Sequence, residues 1–285
     1  MRLLKMHGIG NDYIYADCMK PGSEAQIPDP AALAVRISDR HFGVGGDGLI
    51  MICPSDNADC FMRMYNNDGS EGRMCGNGIR CVAKYMYDNG YIDDTSVSIE
   101  TLSGIKQIEL VIDPESGICT AATVDMGTAE IEEKQVRLKD GTFVRAVCVD
   151  VGNPHCIIFV EDADNIDPSD EGPGIEKDPM FPNRTNVEFV TVTAPDNIRM
   201  RVWERGTGIT MACGTGATAT GAAAMYLGLT GDTVTVKLDG GDLIIRRDAA
   251  TGHMFMTGTA TYVFDIENYD ISGENGFAGA GPKAR

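Results

Sequence analysis

The sequence predicts an α+β fold of two pseudo-symmetric lobes, each a mostly antiparallel sheet wrapped around a long central helix. Three observations predict it. Arg63-Met64-Tyr65-Asn66 and Cys75-Gly76-Asn77-Gly78 are answered, 138 positions later, by Arg201-Val202-Trp203-Glu204 and Cys213-Gly214-Thr215-Gly216. In both copies an alternating stretch ends nine residues before the Cys, and an Ala/Met-rich run stops at a glycine fifteen residues after it, Gly90 and Gly228. Short alternating segments with Gly and Pro punctuation surround both runs, the mark of strands joined by turns.

Taken in order, Gly10-Asn11 feeds an apolar segment, Tyr13-Ile14-Tyr15-Ala16-Asp17, and Gly152-Asn153 feeds Ile157-Ile158-Phe159-Val160-Glu161, each a turn leading into a buried strand. Asp29-Pro30 supplies an N-cap and a first-turn proline for a helix through Ala31, Val35 and Ile37, expected to end near Phe42-Gly43. Asp167-Pro168 repeats that start, but Gly172-Pro173-Gly174 follows, so the second copy is expected to be shorter. Asn66 and Glu204 end matching strands, and each Cys-Gly-x-Gly segment opens a helix. The first helix sets Ile79, Val82, Ala83 and Met86 on one stripe. Its partner, from Ala217 to Leu227, is almost wholly small or apolar and is expected to be enclosed by sheet. Further strands are predicted at Ser96 to Glu100, Gln107 to Val111, Ile118 to Ala122, Val234 to Val236, Leu243 to Ile245, Met254 to Met256 and Ala260 to Asp265. The lobes are expected to be 1–118, carrying Cys75 and rejoined by 264–285, and 119–263, carrying Cys213. The last ten or so residues, through 276–281, read as a flexible tail.

With 42 acidic against 24 basic side chains, the formal charge of -18 repels nucleic-acid phosphates and anionic lipid. A small anionic substrate then depends on local arginines and backbone amides. No stretch approaches the ~18 apolar residues of a membrane span, and Met1 to His7 turns polar too soon for a signal peptide, so a cytoplasmic location is expected. Nine cysteines, with no Cys-x-x-Cys among them, argue against a disulfide framework and against a zinc ribbon. Cys18, Cys53, Cys60, Cys81, Cys119 and Cys148 are expected to be structural, and Cys156, beside His155, to be core.

Cys75 and Cys213 stand apart. A helix N-terminus favours a thiolate, because unpaired N–H groups and the helix dipole attract negative charge. Flanking glycines let a ligand approach the bare backbone, and the same N–H groups can hold a carboxylate. As an α-proton leaves, that carboxylate gains electron density, so amides aimed at it stabilise the transition state most. Two opposed thiols can take a proton from one face of a carbon and return one to the other. Sulfurs about 3.5 Å from that carbon on each side would lie roughly 7 Å apart.

The chain resembles the diaminopimelate epimerases over essentially its whole length. The resemblance rests on Lys5-Met6-His7-Gly8-Ile9-Gly10-Asn11-Asp12, Asn67-Asp68-Gly69-Ser70-Glu71 before Cys75, Gly152-Asn153-Pro154-His155, Arg184-Thr185-Asn186-Val187-Glu188-Phe189, and Glu204-Arg205-Gly206-Thr207-Gly208 before Ala212-Cys213. It implies a cofactor-independent, metal-free epimerase of lysine biosynthesis that interconverts LL- and meso-diaminopimelate, with its site in a cleft between the lobes of a homodimer subunit. It further implies that Cys75 and Cys213 are the acid/base pair, the second abstracting and the first protonating from the LL isomer. Gly76, Asn77, Gly214 and Thr215 would hold the reacting carboxylate. Asn11, Asn66, Asn153, Asn186 and Arg205 would bind substrate, largely its distal end, with His155 and Glu204 the polar pair beside the reacting centre. Gly48 departs from relatives that carry Gln there, so it is not counted as a site residue. The rival readings are a proline or hydroxyproline racemase of the same superfamily, which would not need the distal set, and a thiol redox or metal-binding protein.

Overall fold

The computed structural model describes residues 2–267 and 269–272. Along the chain come β1 (Arg2–Gly8), β2 (Asn11–Asp17), α1 (Pro30–Ser38), β3 (Gly48–Cys53), β4 (Cys60–Asn66), β5 (Glu71–Gly72), α2 (Gly76–Asp88), β6 (Ser96–Thr101) and β7 (Gly104–Ile112). Then follow β8 (Cys119–Thr128), β9 (Glu130–Arg137), β10 (Phe143–Asp150), β11 (Pro154–Phe159), α3 (Pro168–Glu176), β12 (Asn186–Ala194) and β13 (Asn197–Glu204). The remainder is β14 (Gly208–Ile209), α4 (Gly214–Tyr226), β15 (Thr233–Leu238), β16 (Gly241–Arg247), β17 (His253–Thr259) and β18 (Thr261–Ile266). The chain divides into two compact units, one of residues up to Ala122 together with those from Ala260 onward, the other Thr123–Thr259.

Both units are built on one plan. In the first the strands run β7-β6-β4-β3-β2-β1-β18, with β5 beside the end of β4. In the second they run β9-β10-β11-β12-β13-β15-β16-β17, with β14 beside the end of β13 and β8 against β17. Most pairs are antiparallel. The exceptions are β2–β3 and β4–β6 in the first unit and β11–β12 and β13–β15 in the second, which are parallel. A parallel pair needs a crossover, and each of these four crossovers contains a helix, in turn α1, α2, α3 and α4.

The two long helices are caged by strands. Burial covers α4 at Gly214 and from Gly216 to Met225, as its small, apolar sequence requires. The single stripe expected for α2 is too narrow: every residue from Gly76 to Met86 is buried, Arg80 and Lys84 included. The sheet surrounds α2, and the two cations bond inward, Arg80 to the Gly76 carbonyl at 3.0 Å and Lys84 to the Cys119 carbonyl. Both helices stop before a glycine at positive φ, Gly90 at 71° and Gly228 at 68°, where a side chain would strain the backbone.

Two helix lengths differ from expectation. The Asp29 side chain caps α1 through the Ala32 N–H, but the helix ends at Ser38 rather than near Gly43. Asp39 ends it by accepting from the N–H groups of His41 and Phe42, a local turn that competes with the helix. The second copy, α3, is not shortened: it spans nine residues, as α1 does, with Pro173 inside it. Gly172 keeps it close to the sheet, since a Cβ there would lie 2.4 Å from the Trp203 ring. The tail expected at the end of the chain lies outside the described residues.

Candidate active site

Each unit places one cysteine at the N-cap of its central helix. Cys75 Sγ accepts from the Gly78 N–H at 3.4 Å, and Cys213 Sγ accepts from the Gly216 N–H at the same distance. Gly76-Asn77 and Gly214-Thr215 form the first turns, where backbone N–H groups lack intrahelical acceptors and favour an anion.

Around Cys75 the partners come from the first unit's turns. The thiol donates to Asn11 Oδ1 at 3.4 Å, and Asn11 Nδ2 in turn donates to Asp47 Oδ2 at 2.7 Å. Asp47 Oδ2 also accepts the Asp12 N–H at 3.1 Å, so one carboxylate fixes the whole Gly10-Asn11 turn. Burial and the neighbouring Asp12 charge push Asp47 above the usual carboxylate range. Asp12 goes the other way. Burial alone would raise it, but Arg40, at 2.8 Å, and Lys5, at 2.7 Å, hold it below its ordinary value. Asn77 is buried and its Oδ1 accepts from Arg80 at 3.0 Å. Asn66 sits at the end of β4 with its Nδ2 on Ser70 Oγ at 2.9 Å. Gly48 has no room for a side chain, because a Cβ would fall 2.1 Å from the Tyr65 carbonyl oxygen.

Around Cys213 the second unit supplies a continuous polar chain. Thr215 Oγ1 lies 3.6 Å from Cys213 Sγ and accepts from Asn153 Nδ2 at 3.3 Å. Asn153 Oδ1 meets His155 Nε2 at 3.2 Å, and His155 Nδ1 meets Glu188 Oε1 at 2.6 Å. The side chains of His155 and Glu188 are both fully buried. Glu188 Oε2 has no hydrogen-bond partner among the described residues, a desolvation cost on the order of 1–3 kcal/mol. Sequence reasoning placed Cys213 where a helix end should favour the thiolate. In the structure burial pushes its thiol well above the usual range, and the Glu204 and Glu188 carboxylates add to the rise. The Thr215 hydroxyl and the Gly216 N–H pull it back in part.

The remaining expected residues gather on the turn after β13. Asn186 is buried. Its Oδ1 accepts the Arg205 N–H at 2.9 Å while its Nδ2 donates to the Pro154 carbonyl at 2.9 Å. Arg205 itself is exposed, with Nη1 on the Asn183 carbonyl at 2.9 Å. Glu204 is half-buried and accepts from the Thr210 hydroxyl. His155 finds its carboxylate in Glu188, on the neighbouring strand β12.

Four residues were missed from the sequence: Asp47, Glu188, Glu176 and Thr210. Glu176, only 2% exposed, accepts from Trp203 Nε1 at 2.8 Å, the Gly206 N–H at 2.9 Å and Arg184 at 2.5 Å, and so holds the Arg205 turn. Glu188 carried a signal, a lone acid inside the apolar run Val187-Glu188-Phe189-Val190. Asp47, in a glycine-rich turn, reads as an ordinary turn former.

The other cysteines are buried except Cys148, which is half-exposed and stands opposite Cys156 in the β10–β11 register.

Comparison with known proteins shows the family to which the sequence belongs. Residues 3–132 and 147–263 match the family model described as Diaminopimelate epimerase. A diaminopimelate epimerase of Desulfitobacterium hafniense is 47% identical over 277 residues, covering 93% of this chain and 96% of the relative. One of Bacteroides thetaiotaomicron is 48% identical over 267 residues, covering 94% and 97%. Among solved structures, a probable proline racemase from Agrobacterium radiobacter superposes with a TM-score of 0.71 at 15% identity, covering 96% of this chain and 94% of that one. A PhzF-family phenazine biosynthesis protein of Bacillus anthracis gives a TM-score of 0.69 at 18% identity, covering 93% and 98%. These two structures share the fold. The sequence matches decide the family: the chain belongs to the diaminopimelate epimerases.

Proposed function

We propose that the protein epimerises LL-2,6-diaminopimelate to meso-2,6-diaminopimelate in lysine biosynthesis, by proton transfer between one α-carbon and two thiols, without a cofactor. The observation that carries this reading is the repeated placement of a single cysteine at the N-cap of each caged helix, in a chain of this family. Cys75 and Cys213 act from opposite faces of the stereocentre, one as base while the other is acid. The first-turn amides of Gly76-Asn77 and Gly214-Thr215 bind the reacting carboxylate and stabilise the charge that develops as the proton leaves. Asn11, Asn66, Asn153, Asn186 and Arg205 hold the substrate, with the guanidinium suited to a distal carboxylate. His155 and Glu204 tune the thiols and orient the ammonium. No helix is long and apolar enough to cross a membrane among the described residues; a cytoplasmic homodimer that binds neither nucleic acid nor membrane fits this activity.

The test is proton exchange. LL-diaminopimelate incubated with the protein in deuterated water should take up deuterium at one α-carbon, whereas proline should not. Cys75→Ala and Cys213→Ala should each lower turnover by at least about 10³-fold with unchanged circular dichroism. Turnover near the native rate in either variant would remove that thiol from the chemistry.

A further inference from the structure

The two units provide an internal control. Tyr15 pairs with Ile50 between β2 and β3, and Ile157 pairs with Glu188 at the matching place between β11 and β12. A Cβ on Gly78 would meet Ile50 Cδ1 at 2.6 Å, and one on Gly216 would meet Glu188 Oε1 at 2.7 Å and Cys213 Sγ at 3.1 Å. The same spot beneath the helix start therefore holds an isoleucine in one unit and a buried glutamate in the other. Packing does not require the acid.

Its effect follows from the donors and acceptors. Two acceptors do not approach to 2.6 Å, so a proton lies between Glu188 Oε1 and His155 Nδ1. Asn153 gives its amide N–H to Thr215, so its Oδ1 faces His155 Nε2, which is therefore a donor. The Thr215 hydroxyl accepts that N–H through a lone pair and keeps its own hydrogen, which it donates to Cys213 Sγ when the sulfur is a thiolate and has no hydrogen of its own. With Cys213 ionised, every hydrogen in the chain then points from the buried end to the sulfur. In the first unit the polarity is reversed: Asp47 takes the Asn11 N–H, and the Cys75 thiol donates to Asn11 Oδ1.

We propose that Glu188 is a positioning residue for Cys213: acting through His155, Asn153 and Thr215, it directs a hydroxyl hydrogen at the sulfur and so stabilises the thiolate that abstracts a proton. The inference rests on the proposed epimerase reading and adds a residue that reading does not use. The charged and titratable groups facing this site are Glu188 on β12, His155 on β11 and Glu204 on β13. Burial and the acids oppose ionisation of Cys213, so the chain supplies what makes it a base.

A double-mutant cycle read by alkylation, without substrate, tests this. In a Cys75→Ser background, iodoacetamide labelling of Cys213 is followed by peptide mass spectrometry from pH 6 to 10, with the fold checked by circular dichroism. Thr215→Val and Glu188→Ile, the latter borrowing the side chain of the matching position, should each slow labelling at neutral pH by about tenfold. The double variant should be no slower than the slower single one, because both cut one chain. Glu188→Gln, which keeps the shape, supplies a second reading of the same position. Faster or unchanged labelling in folded Glu188 variants would mean that the carboxylate acts only as a repelling charge or a filler, and would overturn the proposal. So would full additivity with Thr215→Val. Absence of deuterium exchange by the native protein would instead count against the epimerase reading, which keeps the two failures apart.

Discussion

At the scale of single residues, the surroundings of the two cysteines differ in which way an amide points. Asn11 and Asn153 occupy matched turns, yet Asp47 claims the N–H of one and Thr215 the N–H of the other. Replacing Asp47 by Ala should free the Asn11 amide to turn its N–H toward Cys75, and labelling of Cys75 at neutral pH should rise severalfold. Unchanged labelling would show that Asn11 is held by something else. Acid sensitivity can be placed as well. Asp12 sits below its ordinary value, so its ion pairs with Arg40 and Lys5 contribute stability fully above about pH 4, lost as pH falls through the lowered value. The gap in melting temperature between native protein and Asp12→Asn should therefore be widest near neutrality and close on acidification. Cys75, Cys213, the asparagines, His155 and Arg205 were legible because motifs carry them. Asp47 and Glu188 were not, because their roles depend on strands brought together from distant sequence.

At the scale of elements, the Cys-Gly-x-Gly starts combine a cap, first-turn N–H groups without intrahelical acceptors and a close approach of sheet to helix. Substituting either cysteine by Ser keeps an acceptor for the Gly78 or Gly216 N–H. Ala removes it and should cost about 1 kcal/mol in urea denaturation relative to Ser. The two glycines should respond unequally to a methyl group. At Gly78 the neighbour is the far end of Ile50, which can rotate away, whereas at Gly216 it is a fixed carboxylate oxygen and the Cys213 sulfur. Gly216→Ala should thus lower turnover at least tenfold more than Gly78→Ala, measured as kcat on diaminopimelate. Strand positions and helix starts followed from alternation and caps. The extents of the two shorter helices did not: Asp39 cut α1 short by a side-chain turn, and α3 runs on through Pro173, with Gly172 set against Trp203.

At the scale of the whole molecule, duplication was readable because both copies keep the same spacing from strand end to cysteine to terminal glycine. The parallel pairs were not, since the short segments alone do not say which neighbours they choose. The first unit also depends on a distant piece of chain. β18 pairs along β1 from Ile266 opposite Leu3 to Thr261 opposite His7, and Asp265 takes the Arg2 guanidinium at 2.8 Å. A chain truncated after Thr259 should therefore lose the cooperative melting of the first unit, and calorimetry should show a transition that remains only for the second.

Because β1 comes before and β18 after every element of the second unit, the first unit is a bracket that closes only once the second has been synthesised. The half between those strands has all its parts on the ribosome sooner. Order of synthesis therefore lets the later-numbered thiol be seated on its helix while the earlier-numbered one still waits for the bracket to shut.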